Sequence, residues 1–398
     1  MKKRQRLLFI TARYGRGTGG LGVSAERIVG YQRCDYDVRV LTQSIDPMDS
    51  ACPESHAQGV HVTYLVPQRD AKLHLQAVND WVCSEIRRDA VACVLGFYVG
   101  PWSYASLLAA RRYAIPFASF ARGNDIDLDL FGDGAFQTQH LLAHADRIFC
   151  VTAELEHKIQ GFAPTANTLC IANGVDPALF PLLTHTTRTD DPIIGIFGDI
   201  KQKKGLDFLL EHLDFRAYQL RIVGALRDDT AKLFHGFSSL HPDLASRITH
   251  IPFVKSVPEL IDEYAKCDVV CIPSAHEGMS NVMLEAMSCG KIVITSNIGG
   301  ALDVIEFGKN GFTFDLTHPQ MFRTLLNQVF AMNFEATRCF GHAARERVVS
   351  RFNWEQERAQ YLEAIATLQG AARHKSQIAS DYIQTTSKFS APAEGTPV

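Results

Sequence analysis

Along most of the chain, short apolar runs alternate with longer stretches in which apolar residues recur at helical spacing. The run at 7–11 follows a basic start and ends at a glycine-rich loop, which predicts a first strand with a helix after it from about Ser24. Further runs at 36–42, 60–67, 91–97, 115–122, 147–152 and 168–175 read as strands. Between them, Ala71 to Arg88 places Leu73, Leu75, Val78, Val82 and Ile86 on one helical face, and another helix is expected from Ser103. Such alternation predicts a doubly wound parallel sheet. A polar, turn-rich stretch at 176–191 reads as a linker. The alternation then restarts, with strands expected at 192–199, 219–225, 249–254, 267–274, 291–296 and 311–315. A last helix is predicted from Trp354, with Asn353 as its cap, Gln356 at the reach-back position and Gly370 at its end. Trp354, Tyr361, Leu362, Ile365 and Leu368 share its apolar face, and the tail from His374 is polar and aperiodic, hence expected to be disordered.

A length of 398 residues exceeds one ordinary core, so two α/β domains are the natural division. Hydrophobic content of 46% and charged content of 21% describe a soluble globular protein, and a net charge of −3 makes no electrostatic case for nucleic acid. Ten cysteines are scattered through apolar runs without a CxxC pair, which suits free thiols in a reducing cytoplasm better than zinc or a redox motif. The apolar run after the basic start is too short for a signal peptide. The 20 uncharged residues from Val91 to Ala110 are broken by Gly96, Gly100 and Pro101, so they read as strand, turn and helix rather than a membrane span. Peripheral membrane contact stays open.

The stretch Asp268 to Phe314 carries the densest chemistry, with Glu277 and Glu285 eight positions apart. Glu277 falls in a turn after an apolar run; Glu285 falls inside a helix whose N-terminus follows that turn. A helix N-terminus offers unpaired N–H groups and the positive end of the dipole, a seat for phosphate. Two carboxylates would repel that phosphate, yet they suit the hydroxyls on either side of it: sugar, diphosphate, ribose.

In order and spacing this segment resembles the retaining glycosyltransferases of GT-B fold, in particular family 4, through Pro273-Ser274, Glu277 to Glu285-Ala286, Gly290 and Gly299-Gly300. The resemblance covers about residues 5–370 and is strongest in the second half. It implies two Rossmann-like domains facing across a cleft: an acceptor-side domain at 1–185 joined by a crossing helix at about 354–370, and a donor domain at 190–350, with 374–398 as tail. It also implies roles. Glu277 would accept hydrogen bonds from donor-sugar hydroxyls, and Gly278, Met279 and Ser280 would offer backbone N–H groups. Asn281 would open the helix, and Glu285 would hold the ribose hydroxyls. Lys204-Gly205 match the family's Lys-Gly pair, whose cation binds the leaving diphosphate. Asp199 stands where the family usually has Arg, so Lys201 or Lys203 of the same loop would supply that cation, with Lys201 favoured. Val254 lies in the loop that resembles the base-binding one. Gly19 and Gly20 match the loop that approaches the diphosphate. That loop formally contains GxGxxG at Gly15, Gly17 and Gly20, but no acid ends the next strand, at Leu41-Thr42-Gln43, which argues against a nicotinamide cofactor. Arg122-Gly123 stands where many members have His-Gly on the acceptor side, with Asp125 beside it; an ion pair of Arg122 and Asp125 bracing the loop is an equal reading. Asn173-Gly174 reads as a structural turn.

Together these imply a cytoplasmic hexosyltransferase, at most peripheral at the inner membrane face. It would use a UDP- or GDP-sugar and a glycan, lipid-linked glycan or small hydroxyl acceptor, with neither metal nor cofactor. The rivals are a GT-B enzyme of another reaction, such as an epimerase or phosphorylase, and a non-catalytic nucleotide-sugar binding module. Asp199 and Arg122 favour the binding module.

Overall fold

The computed structural model describes residues 4–15, 19–44, 54–57, 60–183, 191–254 and 256–370. Gly17, the linker residues 184–190, Lys255 and the tail from His374 lie outside the described residues.

The first sheet has eight strands: β1 Arg6–Ile10, β2 Asp37–Gln43, β3 Glu54–Ala57, β4 Val60–Leu65, β5 Val91–Phe97, β6 Phe117–Ala121, β7 Arg147–Cys150 and β8 Thr168–Cys170. Their order is β3-β4-β2-β1-β5-β6-β7-β8, parallel except for the β3–β4 pair. β1 shows why the sequence runs are continuously apolar rather than alternating. Leu8 and Ile10 enter the core on one face, Leu7 and Phe9 the core on the other, and all four are fully buried. The second sheet has β9 Ile193–Phe197, β10 Gln219–Val223, β11 Ile248–Ile251, β12 Val269–Ile272, β13 Ile292–Ser296 and β14 Phe312–Phe314, in the order β11-β10-β9-β12-β13-β14 and all parallel. Among the parallel strands of each sheet the chain order reverses once, between β1 and β5 in the first and between β9 and β12 in the second. A crevice opens at the carboxyl ends of the strands at such a switch point.

Two expectations change in detail. β3 has no apolar run to announce it; its ESHA segment is a strand only because it pairs antiparallel with β4, His56 opposite His61. The first helix spans Gly20–Gln32, four residues earlier than the Ser24 expected, because Gly19 turns at a φ of 82° that only glycine adopts without strain. The helix Ala71–Arg88 has the bounds its spacing predicts, capped by Asp70, whose side chain accepts from Lys72 and Leu73 N–H.

The helix at 354–370 returns to the first domain. Tyr361, Ile365 and Leu368 join the cluster of Leu7 and Phe9, and Tyr361 meets the rings of Phe120 and Phe149 at 5.5 and 5.4 Å. Asn353 caps it as expected, accepting from Gln356 N–H at 2.9 Å, but the Gln356 side chain donates to Ser350 C=O instead of reaching back to the cap. Beneath this helix, Glu357 is buried and accepts from Arg27, from Tyr31 OH and from Gly174 N–H, each at 3.0 Å.

The two domains touch through reciprocal carboxylates at helix starts. Glu154, from the first turn of Ala153–Phe162, accepts from Gly299 N–H at 2.8 Å; Asp303 of the short helix Ala301–Val304 accepts from Ala153 N–H at 3.1 Å. No helix among the described residues is long and apolar enough to cross a membrane.

Candidate active site

Between the two switch points lies a cavity of about 530 Å³. The first domain lines it with residues that follow β1 (Thr11, Ala12, Arg13, Gly19, Gly20, Leu21, Ser24), that end and follow β5 (Phe97, Tyr98), and that follow β6 and β8 (Arg122, Asn124, Asn173). The second domain lines it with the loop after β9 (Gly198, Asp199, Lys201, Lys203, Lys204) and with Glu277 to Val282 after β12. Gly19, Gly20, Lys201, Lys204, Glu277, Gly278, Met279, Ser280, Asn281 and Arg122 therefore converge on one space. Asp125, Val254 and Glu285 do not line it.

Lys204 and Glu277 form the centre. The loop that carries Lys204 ends at Gly205, with a φ of 73°, and a Cβ there would stand 2.0 Å from Pro273 C=O. Only glycine lets this loop lie against the segment leading to Glu277, and Ala275 N–H donates to Lys203 C=O at 2.8 Å across the junction. Lys204 Nζ then donates to Glu277 Oε2 at 2.8 Å, both side chains mostly buried. Burial opposes the Glu277 charge, but the Lys204 and Lys203 ammonium groups outweigh it and hold the carboxyl below its usual range. Glu277 is thus an acceptor-only group at neutral pH, suited to hydroxyl donors. Lys203 reaches across the cleft, donating to Asn124 Oδ1 of the first domain at 3.2 Å, and burial lowers its pKa.

Lys201 is committed differently from the expectation. Its Nζ lies 3.4 Å from Asp199 Oδ2, and Asp199 also accepts from Arg227 Nε. The acid that replaces the family's cation is thus flanked by two cations rather than left bare.

The helix Asn281–Ser288 starts at the cavity and is capped by its own Ser280, whose Oγ accepts from Met283 N–H. Backbone approach here is close. A Cβ on Gly278 would stand 2.3 Å from Arg122 C=O, and one on Gly299 would stand 1.9 Å from Glu277 C=O. Gly278 lets the two domains meet backbone to backbone, and Gly299 lets the loop after β13 close on Glu277 within the second domain. One turn into the helix, Glu285 accepts from Tyr264 OH at 2.9 Å, and Tyr264 is fully buried with its ring stacked on Phe197 at 4.3 Å. Burial pushes Glu285 up to about 7, against the opposing effect of the tyrosine hydrogen bond. Val254 packs against the hydrophobic core and is not among the residues that line the cavity.

Asp125 corrects the acceptor-side reading. It is fully buried, and its oxygens accept from the N–H groups of Val99, Arg122 and Gly123 at 2.8–3.0 Å. It braces the loop through backbone N–H groups, so neither acceptor contact nor an ion pair with the Arg122 guanidinium describes it. Burial pushes it up to about 6. The Arg122 side chain instead donates to Asn173 Oδ1 at 2.6 Å and lies over the Phe97 ring at 5.2 Å.

Asn173, read from sequence as a turn residue, stands on the cavity wall and links both domains. It accepts from Arg27 and Arg122, and its Nδ2 donates to Met279 C=O at 3.2 Å and to Asn281 Oδ1 at 3.1 Å. Tyr98 also escaped the sequence reading. It holds a φ of 87°, locked by Tyr98 OH to Asp129, by Ser103 OH to its own C=O, and by Val99 N–H to Asp125. Strain of this kind in a side-chain-bearing residue concentrates at functional sites, and no sequence pattern announces it.

The family model described as glycosyl transferases group 1 matches residues 184–347. Over 377 residues the chain is 22% identical to the alpha-maltose-1-phosphate synthase of Mycolicibacterium smegmatis, covering 87% of this chain and 94% of that protein. Among solved structures, sucrose-phosphate synthase from Thermosynechococcus elongatus superposes with a TM-score of 0.78 at 19% identity, over 92% of this chain and 100% of that one. Anabaena HepE, solved in complex with UDP-glucose, superposes with a TM-score of 0.74 at 18% identity, over 92% and 100% of the two chains.

Proposed function

From a group 1 glycosyltransferase domain at 184–347, set in a GT-B fold, we propose that this protein is a retaining hexosyltransferase that uses a UDP- or GDP-sugar. The observation that carries the reading is the Lys204–Glu277 pair, held at 2.8 Å beside an Asn281–Ser288 helix N-terminus that opens on the interdomain cavity. Glu277, kept ionised by Lys204 and Lys203, accepts from hydroxyls of the donor sugar. Lys204 and the N–H groups after Glu277 face the diphosphate, whose charge grows as the glycosidic bond breaks; fixed donors and cations lower that barrier. Glu285 takes the ribose hydroxyls once the donor is seated. The acceptor hydroxyl attacks on the face the diphosphate leaves, and the departing phosphate oxygen takes its proton, so that configuration is retained and no protein base is needed. The transfer uses neither metal nor organic cofactor. A relative solved with UDP-glucose supports a UDP-linked donor. The acceptor is a glycan, a lipid-linked glycan or a small hydroxyl compound, and the enzyme works in the cytoplasm, at most peripherally on a membrane, without a nucleic-acid partner.

The test is a donor screen by calorimetry and mass spectrometry, with and without chelator. Binding and slow hydrolysis of one nucleotide sugar, unchanged by chelator and lost in Glu277→Gln, is the expected result. Nucleotide binding without hydrolysis or transfer would instead establish the non-catalytic reading, which Asp199 favours by placing an acid in the diphosphate half of the cleft.

A further inference from the structure

The charges around the cavity are unevenly satisfied. On the second-domain wall each acid has a lysine: Glu277 with Lys204, Asp199 with Lys201. The first-domain wall contributes Arg13 and Arg122 and no carboxylate. Arg122 is only 9% exposed, and its guanidinium touches an amide oxygen and a ring face but no carboxylate. The nearest acids are spent elsewhere. Asp125 gives its oxygens to backbone N–H groups, and Glu357 serves Arg27, Tyr31 and Gly174. Buried charges are ordinarily paired, because an unpaired one loses its hydration without return. Arg13, by contrast, is exposed, lies close enough to Tyr98 to act on it electrostatically, and forms no ion pair with any described residue. Tyr98 itself is held in its strained conformation by three hydrogen bonds, a rigid aromatic wall between the two arginines' loops.

We infer that this wall, Arg13, Tyr98 and Arg122, is the seat of an anionic acceptor: a sugar or polyol that carries a phosphate or carboxylate besides the hydroxyl to be glycosylated. This rests on the transferase reading above and names the substrate class for it. The anion completes the charge balance of Arg122 and recruits Arg13, whose planar fork matches both phosphate and carboxylate. Tyr98 offers its ring face to the sugar between them. The same two arginines could instead meet the donor's own diphosphate, so the experiment separates the two sources.

Protein saturated with UDP is titrated calorimetrically with glucose 6-phosphate, glucose 1-phosphate, glucuronate and glucose. The expected result is that at least one anionic sugar binds roughly tenfold or more tighter than glucose while UDP stays bound, a preference of the size of one charged hydrogen bond. Arg13→Gln, an exposed position that does not threaten folding, should erase most of that preference while changing UDP affinity far less; Arg122→Lys should weaken it without a change in the circular dichroism spectrum. Equal binding of glucose and the anionic sugars overturns the inference. So does displacement of UDP by the sugar phosphates, or an equal loss of UDP and sugar-phosphate affinity in Arg13→Gln, because the arginines then belong to the donor's diphosphate. Failure of UDP to bind at all sinks the donor reading separately. The titrations are then made on unliganded protein, where the preference for anionic sugars and its dependence on Arg13 decide this inference by the same criteria.

Discussion

Glu357 offers the sharpest quantitative test of how the crossing helix is held. Its carboxylate is buried at 2% exposure, with Arg27 Nη2 3.0 Å from Oε1 and Arg27 Nε 3.0 Å from Oε2. Tyr31 OH and Gly174 N–H complete the set. Glu357→Ala removes all of these at once and strands the Arg27 guanidinium, whose charged state now leans first against its own burial and then on Glu357. Breaking one side of a buried pair costs about 3–5 kcal/mol, chiefly because the survivor is left uncompensated. The three tryptophans, Trp81, Trp102 and Trp354, all sit in helices of the first-domain body, so intrinsic fluorescence follows that body alone. At a slope of about 2–3 kcal/mol per M, the fluorescence midpoint in urea should fall by roughly 1–2.5 M. Glu357→Gln, which keeps the shape and can still accept hydrogen bonds, should fall by less. A midpoint for Glu357→Ala within about 0.2 M of wild type would refute the idea that this carboxylate anchors the helix, since that is under 1 kcal/mol at the same slope.

Three further outcomes follow from the cleft. Glu285 rests at about 7 in the free protein and must be ionised to accept from ribose hydroxyls, so donor kcat/KM should rise from pH 6 to 8. Tyr264→Phe removes the hydrogen bond that favours the carboxylate, so the inflection should move to higher pH; a wild-type profile flat across that window contradicts the assignment. Glu277→Gln and Lys204→Met should each reduce donor turnover about 10²–10³-fold, as loss of one fixed transition-state contact does, with the fluorescence midpoint, which follows the first-domain body, little changed. Near-normal turnover in both would remove them from the chemistry. Gly278→Ala places a Cβ 2.3 Å from Arg122 C=O and should wedge the domains apart, lowering turnover roughly tenfold or more through lost alignment. Small-angle scattering should show a larger radius of gyration, and an unchanged radius with normal turnover would show that the close approach is dispensable.

What the sequence discloses here depends on whether a residue's role is local. The helix Ala71–Arg88 was legible to the residue because its apolar positions recur from one turn to the next, and the cap at Asp70 acts on N–H groups only two and three positions on. The parallel strands were legible because burial on both faces makes them continuously apolar. β3 was not, since Glu54–Ala57 is a strand only by virtue of β4. The Lys204 and Glu277 positions were legible through the resemblance to a family motif, and the structure supplies the physical reason for its glycines: Gly205 and Gly278 stand where backbones touch. Asp125 misled because an acid beside an arginine suggests a site, whereas its carboxylate is consumed by three backbone N–H groups that no pattern reveals. Arg13, Tyr98 and Asn173 gain their meaning from partners outside their own segments: Asp125 and Asp129 lie 27 and 31 positions from Tyr98, Tyr98 lies 85 from Arg13, and Arg27 and Met279 lie 146 and 106 from Asn173.

The return of the last helix makes the second domain an insertion within the first, and its two chain crossings lie side by side. Val175 N–H donates to Phe352 C=O, Trp354 N–H donates to Val175 C=O, and a Cβ on Gly174 would stand 2.5 Å from the Asn353 backbone. By Leu183 the chain is already bonded to Cys289 of the other domain. For recombination between relatives this geometry sets the rule of exchange. A single crossover after residue 183 delivers a foreign crossing helix to the native first domain and separates Arg27 from the Glu357 it was matched with. Two crossovers, one on each side of the Val175–Asn353 contact, move the second domain as a cassette and leave that match intact. Chimeras built to change the donor while keeping the acceptor should therefore fold when cut twice and fail when cut once.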